Sequence, residues 1–143
     1  MRPVVKSKKV GRDNLPLKYP TYTEAKPDLI SELGDYCSYC EKKVNRSSLH
    51  VEHIYPKGLQ DNSGELLYKD IENQWDNFLL ACSNCNSIKG LEDTALINPY
   101  LPHINNLVHF IELKEGGSIR IKRDVGGVDL IRTKAFIGLV GLD

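Results

Sequence analysis

The sequence predicts an α+β fold: a β-β-α core in which a strand, a long loop, a second strand and a short helix follow in that order, with a C-terminal β-hairpin and a last short helix beyond it. Three observations point there. Ser48–Ile54 (SLHVEHI) and Phe78–Cys82 (FLLAC) are short β-branched or apolar runs bounded by turn residues. Ser83–Lys89 begins on a capping residue and is followed by Gly90, the ends expected of a brief helix. Two Cys-x-x-Cys pairs, Cys37/Cys40 and Cys82/Cys85, bracket the first strand and overlap the second strand and the helix.

Size and composition set the limits. A chain of 143 residues with 41% hydrophobic and 27% charged side chains is expected to form one compact domain with at most one extended appendage. The formal net charge is zero, so any case for a polyanionic partner must rest on local charge and chemistry. No apolar run approaches the roughly 18 residues of a membrane span, and MRPVVKSKKVGRD lacks the apolar stretch of a secretory signal, so the chain reads as cytoplasmic.

Three units are expected. Residues 1–34 hold a basic arm and a short helix. The first 20 residues carry Arg2, Lys6, Lys8, Lys9, Arg12 and Lys18 against one acid, Asp13, with three prolines and little periodicity. The arm is expected to be a solvated flexible terminus, its functional alternative being a phosphate-contacting tail. A helix follows at Pro27–Leu33: proline suits the first turn, Leu29, Ile30 and Leu33 share a face, and Gly34 ends it. Residues 35–98 hold the core. Between its strands, Leu59–Asp76 carries Asp61, Glu65, Asp70, Glu72 and Asp76 against Lys69, an acidity that discourages contact with phosphate, with a helical turn expected near Glu65–Ile71. Residues 99–143 contain Leu107–Leu113 and Ser118–Arg123 around Glu115-Gly116-Gly117, a hairpin pattern, and then Thr133–Leu142, an apolar run that begins a helix and suggests a fragment or a partner surface.

Cys37-Ser-Tyr-Cys40 and Cys82-Ser-Asn-Cys85 each offer two thiolates across a tight turn, and two such knuckles close a tetrahedral site around one zinc ion. A disulfide framework suits a secreted protein, and redox Cys-x-x-Cys chemistry needs a βαβ setting that this order does not offer. Four sulfur ligands leave no position for water, so this zinc is expected to hold the fold rather than perform catalysis. The clamp also ties the segment around His50–His53 to the segment around Asn86.

CSYCEKK, HVEHIYPKG and WDNFLLACSNCNSIKG, in this order over roughly residues 36–91, resemble the ββα-metal (His-Me finger) motif of the HNH endonuclease family. The resemblance implies a phosphodiester hydrolase acting on nucleic acid, most readily DNA. Carried over residue by residue, it implies that Glu52 binds the catalytic metal, His53 is the general base, Asn77 is structural and Asn86 is a second metal ligand. Elementary chemistry asks for the same roles. Hydrolysis of a phosphodiester needs an activated water and a cation at the phosphate. The Glu52 carboxylate and the Asn86 carbonyl are hard oxygen donors suited to Mg²⁺ or Mn²⁺, and a neutral His53 imidazole can accept a proton. Neighbours on a strand point to opposite faces, so Glu52 and His53 can serve one reaction only if the strand ends or bends there, as Pro56 and Gly58 suggest. The family more often has Asp where Glu52 stands, which bears on metal preference and rate.

Other polar residues carry lesser expectations. His50 can share the Glu52 face as an additional ligand. Trp75 reads as core, and Asn77 as a brace on the His53 backbone. Lys57 and Lys89 are candidate phosphate contacts with ordinary solvated lysines as the alternative. His103 and His109 lie outside the motif. No base-reading machinery is visible, so weak sequence preference is expected.

The MRPV start, GDYCSYCEKK and AFIGLVGLD more loosely resemble the HNH subunits of bacterial anti-phage defence systems of the Septu and retron-associated type. That resemblance implies a partner ATPase of the ABC/SMC-like kind, and family members usually continue further. Two other classes compete: a non-catalytic zinc module that binds nucleic acid or protein, which has no need of Glu52, His53 and Asn86 together, and a zinc-dependent hydrolase, which needs an open zinc site.

Overall fold

The computed structural model describes residues 4–91, 111–116 and 118–139. Its centre is a two-stranded antiparallel ribbon, β1 (Leu49–His53) and β2 (Phe78–Cys82), paired from Leu49 opposite Cys82 to His53 opposite Phe78. β1 and β2 are flanked on one side by α1 (Lys26–Leu33) and followed directly by α2 (Ser83–Lys89).

The period-2 alternation of the strands sorts their side chains onto two buried faces. Leu49, Val51, Phe78 and Leu80 pack with Ala25, Leu29 and Leu33 of the α1 side and with Trp75. Leu79 and Ala81 face the opposite way, packing with Cys37, Tyr39, Ile54 and Cys85. The ribbon is thus the middle of a sandwich, which is why FLLA is buried throughout rather than alternating.

Both helices keep the ends expected of them. Pro27 sits in the first turn of α1 and Gly34, at φ 77°, receives the chain as its N–H bonds Ile30 O at 2.8 Å. α1 is preceded by a 3-10 turn, Tyr22–Ala25, that carries Tyr22 toward β1. α2 ends at Gly90, φ 54°, a left-handed position that glycine adopts without strain. The loop between the strands contains 3-10 turns at Lys69–Ile71 and Trp75–Asn77, the first within the segment where the sequence predicts a helical turn.

β3 (Ile111–Leu113) and β4 (Ile119–Ile121) form an antiparallel pair, and α3 spans Gly127–Leu139. Leu107–Phe110 of the expected first hairpin strand, and Val140–Leu142 of the expected last helix, lie outside the described residues, as do His103 and His109. α3 starts six residues before the expected Thr133: glycines at positions 126 and 127 conceal the start, and Asp129 in the first turn favours it electrostatically. Ile111 and Ile137 join the core beneath the cysteine cluster, so the C-terminal elements brace it.

The N-terminal arm departs from expectation. Part of it is docked: two of its basic side chains, Lys6 and Lys9, serve the fold, while Lys8, Arg12 and Lys18 are exposed. Lys6 Nζ donates to the carbonyls of Trp75 at 2.6 Å and Phe78 at 2.5 Å. Lys9 Nζ lies 3.0 Å from Asp28 Oδ2 and 3.4 Å from Glu32 Oε1. The fully buried Trp75 indole donates to Ser7 O at 2.8 Å, with Lys6 and Lys9 over its ring.

Candidate active site

The cysteine cluster is the rigid base of the site. The Cys37 knuckle is folded by Cys37 N–H to Lys42 O at 3.0 Å and Glu41 N–H to Cys37 O at 3.0 Å, and it is pinned to β2 by Ser38 N–H to Leu80 O at 2.7 Å. The second knuckle is made by the β2–α2 junction, which puts Cys82 at the helix cap and Cys85 in the first turn. All four Sγ atoms lie within 4.8 Å of one another, with Cys40 and Cys82 at 3.9 Å.

These separations suit four thiolates around one zinc ion, whose Zn–S bonds of ~2.3 Å place the sulfurs ~3.8 Å apart. The acid-base chemistry of the cluster fits as well. Donation by the Cys85 thiol, with backbone N–H groups, draws Cys37 down to about 5. Donating to Cys37 in turn pushes Cys85 up, and burial pushes Cys40 up to about 11. Thiolates this close repel one another, so four of them together demand a positive ion among them.

Across the ribbon, His50, Glu52, His53, Lys57, Asn86 and Lys89 all line one cavity of about 310 Å³. The opposite-face problem for Glu52 and His53 is resolved because β1 stops at His53 and the chain bends at Ile54 and Tyr55. Asn77 sets that bend. Its Oδ1 accepts from Tyr55 N at 2.8 Å, its Nδ2 donates to Tyr55 O at 3.1 Å and Ile71 O at 3.3 Å, and its carbonyl accepts from Ile54 N at 2.9 Å. The brace therefore acts on the two residues after His53 rather than on the His53 backbone itself.

His53 is held on every side. Its ring lies edge-on to Phe78 at 5.4 Å and to Tyr22 at 4.9 Å, and its Nε2 is 2.9 Å from Glu72 O. A carbonyl only accepts, so Nε2 carries the proton in that bond and Nδ1 is left as the basic atom. Burial lowers the His53 pKa from 6.5 to about 4, which keeps the imidazole neutral at ordinary pH.

Glu52 is buried with 4% of its surface exposed, and its Oε1 receives Lys89 Nζ at 2.8 Å and Tyr39 OH at 3.2 Å. Burial outweighs the Lys89 attraction and raises its pKa above the ordinary glutamate range. Both contacts fall on Oε1, which leaves Oε2 as the donor for a cation, with Asn86 lining the same cavity from α2. One carboxylate, one amide and a cavity with room for water fit a hard divalent cation such as Mg²⁺, which retains much of its hydration.

Lys89 corrects an expectation. Rather than reaching toward phosphate, its ammonium is buried at 1% exposure, donating to His53 O at 2.9 Å while pairing with Glu52. An internal counter-ion of this kind has no exposed face for a substrate. Lys57 does stand at the cavity rim, its Nζ 3.9 Å over the Tyr22 ring. His50 is exposed, its Nε2 3.0 Å from Ser83 Oγ. Tyr22 and Tyr39 have no signal in the sequence: the one lies before α1 and the other between two cysteines, and only folding brings them to His53 and Glu52.

Residues 37–92 match the family described as HNH endonuclease, the segment that contains the four cysteines, Glu52, His53, Asn77 and Asn86. Over 76 residues the chain is 32% identical to the Septu protein PtuB of Bacillus thuringiensis, across 50% of this chain and 26% of that protein. The chain thus spans about a quarter of the length of the curated relative it matches. No solved structure matches it significantly. Among the described residues, no helix is long and apolar enough to cross a membrane. The likeness to HNH endonucleases thus lies in residues 37–92, the segment that holds the candidate site.

Proposed function

We propose that this chain is a metal-dependent endonuclease that hydrolyses phosphodiester bonds in DNA, with a structural zinc on Cys37, Cys40, Cys82 and Cys85 and a catalytic Mg²⁺ or Mn²⁺ on Glu52 and Asn86. The observation that carries the reading is the convergence of Glu52, His53 and Asn86 on one cavity at the end of β1. His53 takes the proton from an attacking water at Nδ1, since its Nε2 is engaged by Glu72 O. Its low pKa keeps the imidazole neutral across the physiological range, with a weaker basicity than an exposed histidine. The divalent cation supplies charge neutralisation at the phosphate. Glu52 is steadied by Tyr39 and Lys89, and Asn77 holds the bend that turns His53 and Glu52 toward a common space.

The likeness to a Septu protein supports a place among the effectors of bacterial anti-phage defence, in the cytoplasm, with an ABC/SMC-like ATPase as controlling partner. Residues 35–98 would be the nuclease unit, with 1–34 and 99–143 as flanking supports.

Nicking of supercoiled plasmid with Mg²⁺ or Mn²⁺, run beside His53→Ala with zinc content verified in both, tests this. Cleavage by wild type and its loss in the variant are expected, a drop of roughly 10²–10⁴-fold for a general base. Inactivity of wild type even with its ATPase partner would overturn the reading and favour a zinc-binding interaction module. That second reading draws on the engagement of Glu52 by Lys89, which leaves the carboxylate satisfied without a divalent cation.

A further inference from the structure

We propose that the DNA strand engaged at the catalytic cavity continues along α1 through a second, adjoining cavity, where Lys26 and Arg46 hold its phosphates; this rests on the nuclease reading above. The second cavity, of about 640 Å³, is lined by Lys26, Pro27, Ile30 and Arg46 among others, and Lys26 also lines the catalytic cavity. The two therefore form one trough from Lys57 at the reacting end, past Lys26, to Arg46.

Charge is segregated along this trough. The chain balances 19 acidic against 19 basic residues, yet among the described residues the catalytic cavity is lined by one acid, Glu52, and the second by none. Glu52 is itself matched by Lys89, so the positive potential of Lys57 and Lys26 meets no unmatched acid on the walls, and Arg46 shares its charge with Asp35.

The fold maintains that segregation. α1 carries two acids, Asp28 and Glu32, and the docked arm engages both. Asp28 receives Tyr19 OH at 2.7 Å and Lys9 at 3.0 Å, while Glu32 receives Ser7 N at 2.8 Å and Ser7 Oγ at 2.6 Å. Lys9 thus offsets part of the charge of the two α1 acids while neutral donors of the arm engage the rest, and Lys26, Pro27, Ile30 and Ser31 line the trough. Arg46 bonds Asp35 Oδ1 through Nε at 2.9 Å, an exposed pair that orients the guanidinium, and its side chain is 71% exposed, so its remaining N–H groups can take a phosphate. Lysine and arginine contacts of this kind track the backbone and are indifferent to base sequence.

The test is fluorescence anisotropy of the full chain with a labelled DNA duplex, without added divalent cation, over about 50–200 mM salt. Lys26→Gln with Arg46→Gln should weaken binding at least tenfold and lower the slope of log affinity against log salt by about two, one for each phosphate that is no longer neutralised. Each single variant should lower it by about one, which keeps the reading testable if the double variant melts early. Lys8→Gln, on an exposed lysine that lines neither cavity, should change neither quantity. Unchanged slope and affinity in the variants, beside a wild type that binds and nicks, would overturn the path and leave the nuclease standing. A wild type that never nicks but binds through Lys26 and Arg46 would overturn the nuclease reading and retain the binding surface. A wild type that fails to bind would overturn the path.

Discussion

The Lys89 ammonium sits 2.8 Å from Glu52 Oε1 with both side chains buried, and the same nitrogen donates to the His53 carbonyl at 2.9 Å. One lysine on α2 therefore ties together the carboxylate and the backbone of the histidine beside it on β1. Lys89→Met should destabilise the zinc-loaded protein by about 3 kcal/mol, because it leaves a buried carboxylate without its counter-ion. Adding Glu52→Gln should recover part of that loss. Urea titrations of the two single variants and the double variant give the coupling; strictly additive losses would mean that the pair contributes nothing beyond its separate parts.

Zinc and base should separate cleanly. Removal of zinc by a tight chelator, or Cys82→Ser, should cost tertiary structure and solubility, whereas His53→Ala should retain both together with one zinc per chain. Near-ultraviolet circular dichroism with metal analysis reads both. Equal structural damage from Cys82→Ser and His53→Ala would undo this division.

Asn77→Ala removes partners from Tyr55 N–H, Tyr55 O and Ile71 O in a residue only 3% exposed. A loss of about 1–3 kcal/mol is expected from the hydrogen bonds removed, with slower nicking as the bend after His53 relaxes. Thermal melts beside nicking rates check this, and a variant that melts like wild type would show that the brace is dispensable.

Lys6 gives a pH signature. Burial lowers its pKa from 10.5 to about 8. Between these values the unfolded chain holds the proton that the folded chain has released, so this residue's contribution to stability rises with pH from 8 to 10.5. Lys6→Met should lack that rise. The stability difference between wild type and variant should move in favour of wild type by on the order of 2 kcal/mol across the window, measured by urea denaturation at stepped pH. A constant difference would mean that the Lys6 amine is not desolvated by docking of the arm.

Local chemistry makes most elements legible. Gly34 and Gly90 mark helix ends because their positive φ suits a residue without Cβ, and Pro27 marks a beginning because the first turn does not use its missing N–H. The start of α3 is hidden because glycine is a poor helix former, and here packing of Thr133 and Ile137 overrides that preference. The docking of the arm is illegible because Lys6 and Lys9 look as solvated as their basic neighbours until one knows that Asp28, Glu32 and the carbonyls of Trp75 and Phe78 meet them.

By itself, the sequence determined the β-β-α order, the four thiols of one cluster and the candidacy of Glu52, His53, Asn77 and Asn86. The strand and helix order and the two Cys-x-x-Cys pairs follow from residue type and short-range spacing, which constrain geometry over a few residues; the four site candidates came with the resemblance of their motifs to the HNH pattern, with which their chemistry agrees. Tertiary structure alone decided that Lys89 is an internal counter-ion, that Tyr22 and Phe78 clamp the His53 ring, and that Lys9 of the arm pairs with the acids of α1. A lysine's role depends on whether a buried carboxylate or open solvent meets its ammonium, and that is set by packing between segments far apart in the chain.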